Sequence, residues 1–189
     1  MNKHILRTKQ KEQSILKAAI KLVANQPIEH ITINSIKAVA KVSQVTIYKL
    51  YGNKKNLIDT AIKEMSRQAV DSVMKALTTD LKSKERLSEY FRASFNTAIS
   101  FPRQKDLVEY IFDGTNQELT NYVLSLYYPT YPCLEKLYKD ARNDNVIRDE
   151  ISYDLFLKMC DMFTRIQPEF YQTATDMDML VKSIVKSFG

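Results

Sequence analysis

Three glycines in 189 residues, Gly52, Gly114 and Gly189, leave this chain few ways to fold other than as helices. Sheet-rich folds draw on glycine for tight turns, and phosphate-cradling loops need it in clusters. Neither GxGxxG nor GxxxxGK followed by Ser or Thr occurs, which argues against a nucleotide-binding α/β enzyme. Apolar residues recur instead at helical spacing along most of the chain. They make up 44% of it, against 26% charged, so a core is affordable and disorder is excluded. The expected fold class is all-α, with about nine helices.

The first helix is predicted from about Lys9 to Ala24, where Ile15, Ala19 and Leu22 fall at i, i+4 and i+7. Pro27 cannot continue its hydrogen-bond ladder. Thr32 is a good N-cap for a short helix, Ile33–Val39, and Ser43 for a second, Gln44–Leu50. Lys41-Val42 makes the turn between them. Gly52 suits a left-handed C-cap, and Asn53 opens a long helix from Lys54 to about Leu77. Further helices are expected near Lys84–Ile99, Gln104–Phe112, Gln117–Tyr127, Cys133–Arg142, Tyr153–Ile166 and Asp176–Phe188, the last capped by Thr175. Pro102, the Pro129/Pro132 pair and Pro168 mark breaks. Two domains follow: residues 1–55, which end where the long helix begins, and residues 56–189, helical throughout.

Charge is unevenly spread. Residues 1–65 carry twelve Lys/Arg against four Asp/Glu, a net of +8, whereas the remainder nets −2 within a total of +6. A concentrated positive field suits a polyanion or an anionic membrane surface. Two short helices joined by a tight turn, the second with a polar outer face, make a helix-turn-helix. The reading helix, at about Ser43–Lys49, shows Gln44, Val45, Tyr48 and Lys49 on the side opposite Val42, Ile47 and Leu50. An amide pairs with adenine in the major groove, and a small apolar group meets the thymine methyl. Gln44 and Val45 supply both chemistries. Lys54 and Lys55 open the next helix, where the macrodipole disfavours cations. A phosphate seated on that helix start would account for them.

The stretch from Thr32 through Ile36, Ala40, Val42-Ser43-Gln44-Val45-Thr46-Ile47-Tyr48-Lys49-Leu50-Tyr51-Gly52-Asn53-Lys54-Lys55 to Leu57 resembles the DNA-binding domain of the tetracycline-repressor (TetR) family. The likeness extends back to Ile15, Ala18, Ala19 and Leu22 and covers about residues 10–60. It implies that Thr32, Ser43, Thr46, Tyr48 and Lys54 hold phosphates. It implies base or adjacent backbone contacts for Asn34, Gln44, Val45 and Lys49. The basic arm Lys3 to Lys11 reads as a frayed tail with room for added minor-groove or phosphate contacts. Lys41 stands where the family usually has glycine, so it must take a left-handed conformation or the turn must shift, at about 1–2 kcal/mol. Lys37, Leu50 and Pro27 also depart from the usual alanine, aromatic or histidine, and glycine.

From the resemblance, the C-terminal half is expected to dimerise and to bind a small effector. The dimer surface is expected on the last two helices, from Leu155, Met159, Phe163, Leu180, Ile184 and Phe188. The middle helices are rich in aromatics, and Phe91, Phe95, Tyr110, Tyr122, Tyr127 and Phe163 are the pocket candidates, suited to an aromatic or cationic ligand. The expected function is a repressor that binds a palindromic double-stranded operator as a homodimer and is released by the effector. A TetR-fold adaptor governed by a protein partner is the alternative.

An enzyme is not expected. The two histidines, His4 and His30, lie in no metal-ligand spacing, and no nucleophile elbow or Cys–His pair occurs. No metal and no cofactor are foreseen. The chain has no run of 18 apolar residues and no apolar signal core, so a cytoplasmic protein without membrane contact is expected. Cys133 and Cys160 should then be reduced thiols.

Overall fold

The computed structural model describes residues 3–166 and 170–189, though not the side chains of Lys3, His4 and Gln104. The break expected at Pro168 and the solvated side chain expected for His4 lie outside what is described. Among the described residues there are ten α-helices, one 3-10 turn and no strand. The helices are α1 (Lys3–Asn25), α2 (Ile33–Ala40), α3 (Gln44–Tyr51), α4 (Lys54–Thr78), α5 (Ser83–Ser100), α6 (Gln104–Phe112), α7 (Gln117–Tyr127), α8 (Thr130–Asn143), α9 (Tyr153–Thr164) and α10 (Ala174–Phe188). None of these is long and apolar enough to cross a membrane.

The chain divides into two compact units, with boundaries inside α4 and α7. The first unit comprises Met1–Ser66 and Phe101–Val123. Its core is built by Ile15, Ala19, Ile36, Ile47, Leu57 and Ala61, all fully buried, with Leu107, Ile111, Leu119 and Val123 from the α6–α7 hairpin in the same cluster. Sequence order alone would place that hairpin with the C-terminal half. Here it completes the core beneath the helix-turn-helix.

The second unit comprises Arg67–Ser100 and Leu124–Gly189. Helix α5 is its central element and packs against α8, α9 and α10. Phe91 sits at the middle, with the rings of Phe95, Phe163 and Phe188 at 6.2, 6.0 and 6.1 Å. Polar ties frame this aromatic core. Arg86 pairs with Asp140, Arg92 with Asp178, and Ser83 donates to Asp144 at 2.6 Å. Several boundaries differ from the sequence reading: α1 starts at Lys3 instead of Lys9, α9 ends at Thr164 instead of Ile166, and the starts of α8 and α10 also move. Helix α8 starts at Thr130, because Pro132 falls in its first turn, where a missing N–H is harmless. Helix α10 is capped by Thr173, not Thr175: the Thr173 hydroxyl accepts from the Asp176 N–H at 3.1 Å and donates to the Asp176 carboxylate at 2.6 Å.

Candidate nucleic-acid interface

Local chemistry fixes both helices of the motif. Thr32 accepts from the Ser35 N–H at 3.0 Å, and Ser35 Oγ accepts from the Thr32 N–H at 3.0 Å, a reciprocal capping box at the start of α2. Lys41 ends α2 at φ 55°, ψ 43°, the left-handed conformation that its place in the turn demands. Ser43 caps α3 by accepting from the Thr46 N–H at 3.2 Å. Gly52 follows α3 at φ 76°, and Asn53 Oδ1 accepts from the Asn56 N–H at 2.8 Å to open α4.

Burial sets the rotation of α3. Ile47 is fully buried, so the opposite side faces outward, and there Val45 is 77% and Tyr48 44% exposed. Gln44 and Lys49 are exposed on the same outer surface, and Asn34 and Thr32 are exposed on and before α2. Leu50 is half-buried against the core. The reading helix is thus held by one apolar anchor, with an amide, a small apolar group, a phenol and an ammonium turned away from it.

The hydroxyls with expected phosphate roles double as caps. A cap uses oxygen lone pairs and leaves the O–H hydrogen to donate. Thr32 is placed so, while Ser43 and Thr46 share one hydroxyl–hydroxyl bond at 2.9 Å. Lys54 is half-buried and donates to the Ile31 carbonyl at 2.6 Å, which leaves two of its three N–H bonds for an anion. Lys55 donates to Asp59 at 2.7 Å.

Asp59 was not singled out by sequence reasoning. Besides Lys55 it accepts from Tyr110 Oη at 3.0 Å and from Asn116 Nδ2 at 2.8 Å, and Asn116 Oδ1 in turn accepts from the Leu119 N–H at 3.2 Å. Burial and the Asp59 charge raise the Tyr110 phenol above its ordinary range. One turn on, Lys63 pairs with Glu118 at 2.7 Å and lies 5.3 Å from the centre of the Tyr122 ring. These ties hold α4 to the α6–α7 hairpin. The Lys55–Asp59 spacing of four residues was a signal in the sequence; the others were not. Two further bonds position the motif on α1: Ser14 Oγ donates to the Ala40 carbonyl at 3.0 Å, and Tyr51 Oη to the Glu12 carbonyl at 3.1 Å. Burial, with Glu12 nearby, pushes the Tyr51 phenol up to about 12.

The six pocket candidates fall in two groups. Phe91, Phe95 and Phe163 belong to the aromatic core of the second unit, whereas Tyr127 lies in the same unit but outside that core, 42% exposed. Tyr110 and Tyr122 pack on the core of the first. On α9 and α10, Ile184 and Phe188 are covered by their own chain, Phe163, Met159 and Leu180 are half-buried, and Leu155 is exposed. The outward apolar side chains of these helices include Leu155, Met162 and Met179. Burial raises the Cys160 thiol, so it stays protonated.

No family model and no curated protein matches the sequence. Solved structures do match along nearly the whole chain. The fatty acid degradation regulator FadR from Bacillus halodurans is similar at a TM-score of 0.67 and 16% identity, over 94% of each chain. The TetR-like transcriptional regulator LfrR from Mycobacterium smegmatis, solved in complex with proflavine, aligns at 0.66 and 15%, over 95% of this chain and 94% of that one. A TetR-family member from Streptomyces coelicolor aligns at 0.64 and 16%, over 93% and 89%. The capped helix-turn-helix and the helical unit beyond it together give this chain the fold of the TetR family of transcriptional regulators.

Proposed function

We propose that the chain is a DNA-binding transcription regulator that acts as a homodimeric repressor on a palindromic duplex operator and is released by a small effector. The observation that carries this reading is the outer face of α3, where Gln44, Val45, Tyr48 and Lys49 stand clear of a fully buried Ile47. An α-helix with those groups fits the major groove. Thr32, Asn34, Ser43, Thr46, Lys54 and Lys55 surround it with phosphate and base contacts, and the basic first third supplies the field.

A single reading head contacts few base pairs. Two heads about 34–36 Å apart read successive major grooves, so a dimer is required for operator specificity. The exposed Leu155 and Met162 of α9 and Met179 of α10, flanked by the half-buried Met159 and Leu180, form the proposed dimer surface; Ile184 and Phe188 back it from inside. For the effector, the support is the aromatic content around Phe91, Phe95, Phe163 and Tyr127, and the proflavine complex of one similar regulator.

The test is selection of bound sequences from a random duplex pool, repeated with the Tyr48→Ala/Lys54→Ala double variant. Enrichment of a palindrome that the double variant fails to retain supports the regulator. Absence of enrichment by the wild-type chain, or binding indifferent to both substitutions, removes it.

A further inference from the structure

Helix α1 starts at Lys3, yet its first buried residue is Ile15. Residues 5–11 therefore bring no buried side chain to the core of the first unit. Residues 3–11 hold four cations, Lys3, Arg7, Lys9 and Lys11, and no carboxylate before Glu12. Cations at a helix N-terminus oppose the macrodipole, and an unpacked segment of this length is marginally helical in water. The sequence breaks two local rules at once on the same stretch, which is expected where a partner supplies the compensation.

The register says which partner. Arg7, Lys11 and Ser14 fall at i, i+4 and i+7 and share one face of α1. Ser14 on that face bonds the Ala40 carbonyl, the last residue of α2 before the exposed Lys41 turn into the reading helix. Arg7 and Lys11 are exposed, so the stripe continues from the helix-turn-helix turn outward along α1. Lys9 is exposed too, but lies on the other side of the helix. At 1.5 Å per residue, Arg7 stands about 10 Å beyond Ser14, about three base-pair steps along a duplex.

We infer that the Arg7/Lys11 stripe is a phosphate-contacting prong that extends each half-site beyond the reach of α2 and α3. This rests on the DNA-binding reading above. The prong adds affinity and salt dependence but no sequence preference, because phosphate contacts carry none.

The experiment uses the full chain and the duplex recovered from the random-pool selection, with affinity measured across a salt series. Each phosphate contact contributes about 0.9 to the slope of log affinity against log salt. Arg7→Ala/Lys11→Ala is expected to lower the slope by about 2 per protomer, with the enriched sequence unchanged, whereas Lys9→Ala leaves it alone and Arg7→Lys/Lys11→Arg restores it. All three sites are exposed, so folding is not at stake, and circular dichroism checks it. An unchanged slope in the alanine pair overturns the prong while the Tyr48→Ala/Lys54→Ala control still establishes the regulator. An equal loss from Lys9→Ala also overturns it, since bulk charge then explains the effect. A wild-type chain that enriches no duplex overturns both readings.

Discussion

The Lys55 ammonium lies 2.7 Å from the Asp59 carboxylate, one turn along α4 from where a phosphate is proposed to sit. The same carboxylate accepts from Tyr110 and Asn116, so a candidate DNA contact and the α6–α7 hairpin share one acceptor. A lysine already neutralised by a carboxylate releases fewer counterions when it meets a phosphate.

Replacement of Asp59 by Asn separates these roles. The amide keeps one acceptor but loses the charge. Lys55 is then freed for DNA, and the salt slope of duplex binding is expected to rise by up to about 1 per protomer. The hairpin loses charge-assisted bonds, which costs about 1.5–3 kcal/mol of stability. Urea unfolding and a salt titration read the two effects separately. A lower slope, or unchanged stability, would contradict this account of Asp59.

Lys41 pays a steric penalty at φ 55° that glycine avoids. The left-handed conformation costs an L-residue about 1–2 kcal/mol, while glycine loses about 0.5–1 kcal/mol more backbone entropy on folding. Lys41→Gly should therefore stabilise the chain by about 0.5–1 kcal/mol. Gly52→Ala, at φ 76°, ψ −56°, should destabilise it by about 1–2 kcal/mol, because strain of up to about 3 kcal/mol in that sparsely populated region outweighs the entropy advantage of about 0.5–1 kcal/mol that alanine brings. Thermal unfolding of the two variants gives opposite shifts; a loss of stability in Lys41→Gly would mean that the lysine side chain has a compensating contact.

How much of this was legible in the sequence depends on distance along the chain. Thr32, Ser43 and Asn53 each cap a helix through an amide three residues away, a local rule that a sequence displays. At Lys41 the sequence left two outcomes open, a left-handed residue or a shifted turn, and the chain takes the first. Tyr110 and Asn116 meet Asp59 across 51 and 57 residues, and no local pattern encodes such pairings. The hairpin of residues 101–123 was hidden for the same reason: its stripe of Leu107, Ile111, Leu119 and Val123 shows that it is buried, not against what. The start of α1 was misplaced because residues 3–11 have neither a stripe nor a cap.

Tyr51 gives a pH test of the α1–α3 contact. Its phenol is raised to about 12 in the folded chain by burial, then by Glu12, against an ordinary value of 10.0. A group whose pKa is raised on folding adds stability that is complete below its unfolded value and is lost as pH climbs through the folded one. The window is therefore about pH 10–12. Tyr51 is half exposed, so solvent screening reduces the effect to about 1 kcal/mol. Stability measured from pH 9 to about 12 should fall less in Tyr51→Phe than in the wild type. Parallel curves for the two proteins would show that burial and Glu12 do not raise the phenol on folding.

Arg86 is buried and paired with Asp140, which Lys136 and Arg86 together hold below the usual carboxylate range. Asp140 is about a third exposed and also holds Lys136, so the charge at risk is the buried one: Asp140→Ala strands the Arg86 cation and should cost about 3 kcal/mol or more. Lys136 meets the same carboxylate from the surface at 2.6 Å, where an ion pair is worth about 0.5 kcal/mol, so Lys136→Ala should be nearly silent. Denaturant midpoints of the two variants measure the contrast, and equal losses would rule out burial as the cause.

The proposed dimer surface is tested on side chains that the protomer itself does not need. Met162 is 57% and Met179 61% exposed, so changing them leaves the aromatic core intact. A buried charge without a partner is disfavoured strongly enough to part an apolar interface. Met162→Glu/Met179→Glu should run as a monomer by light scattering, with its circular dichroism unchanged. Its affinity for a selected palindrome should fall at least tenfold, because the second reading head no longer follows the first onto the duplex. If the wild type is monomeric, or if the double variant stays dimeric, α9 and α10 do not form the interface and the palindrome must be read through another surface.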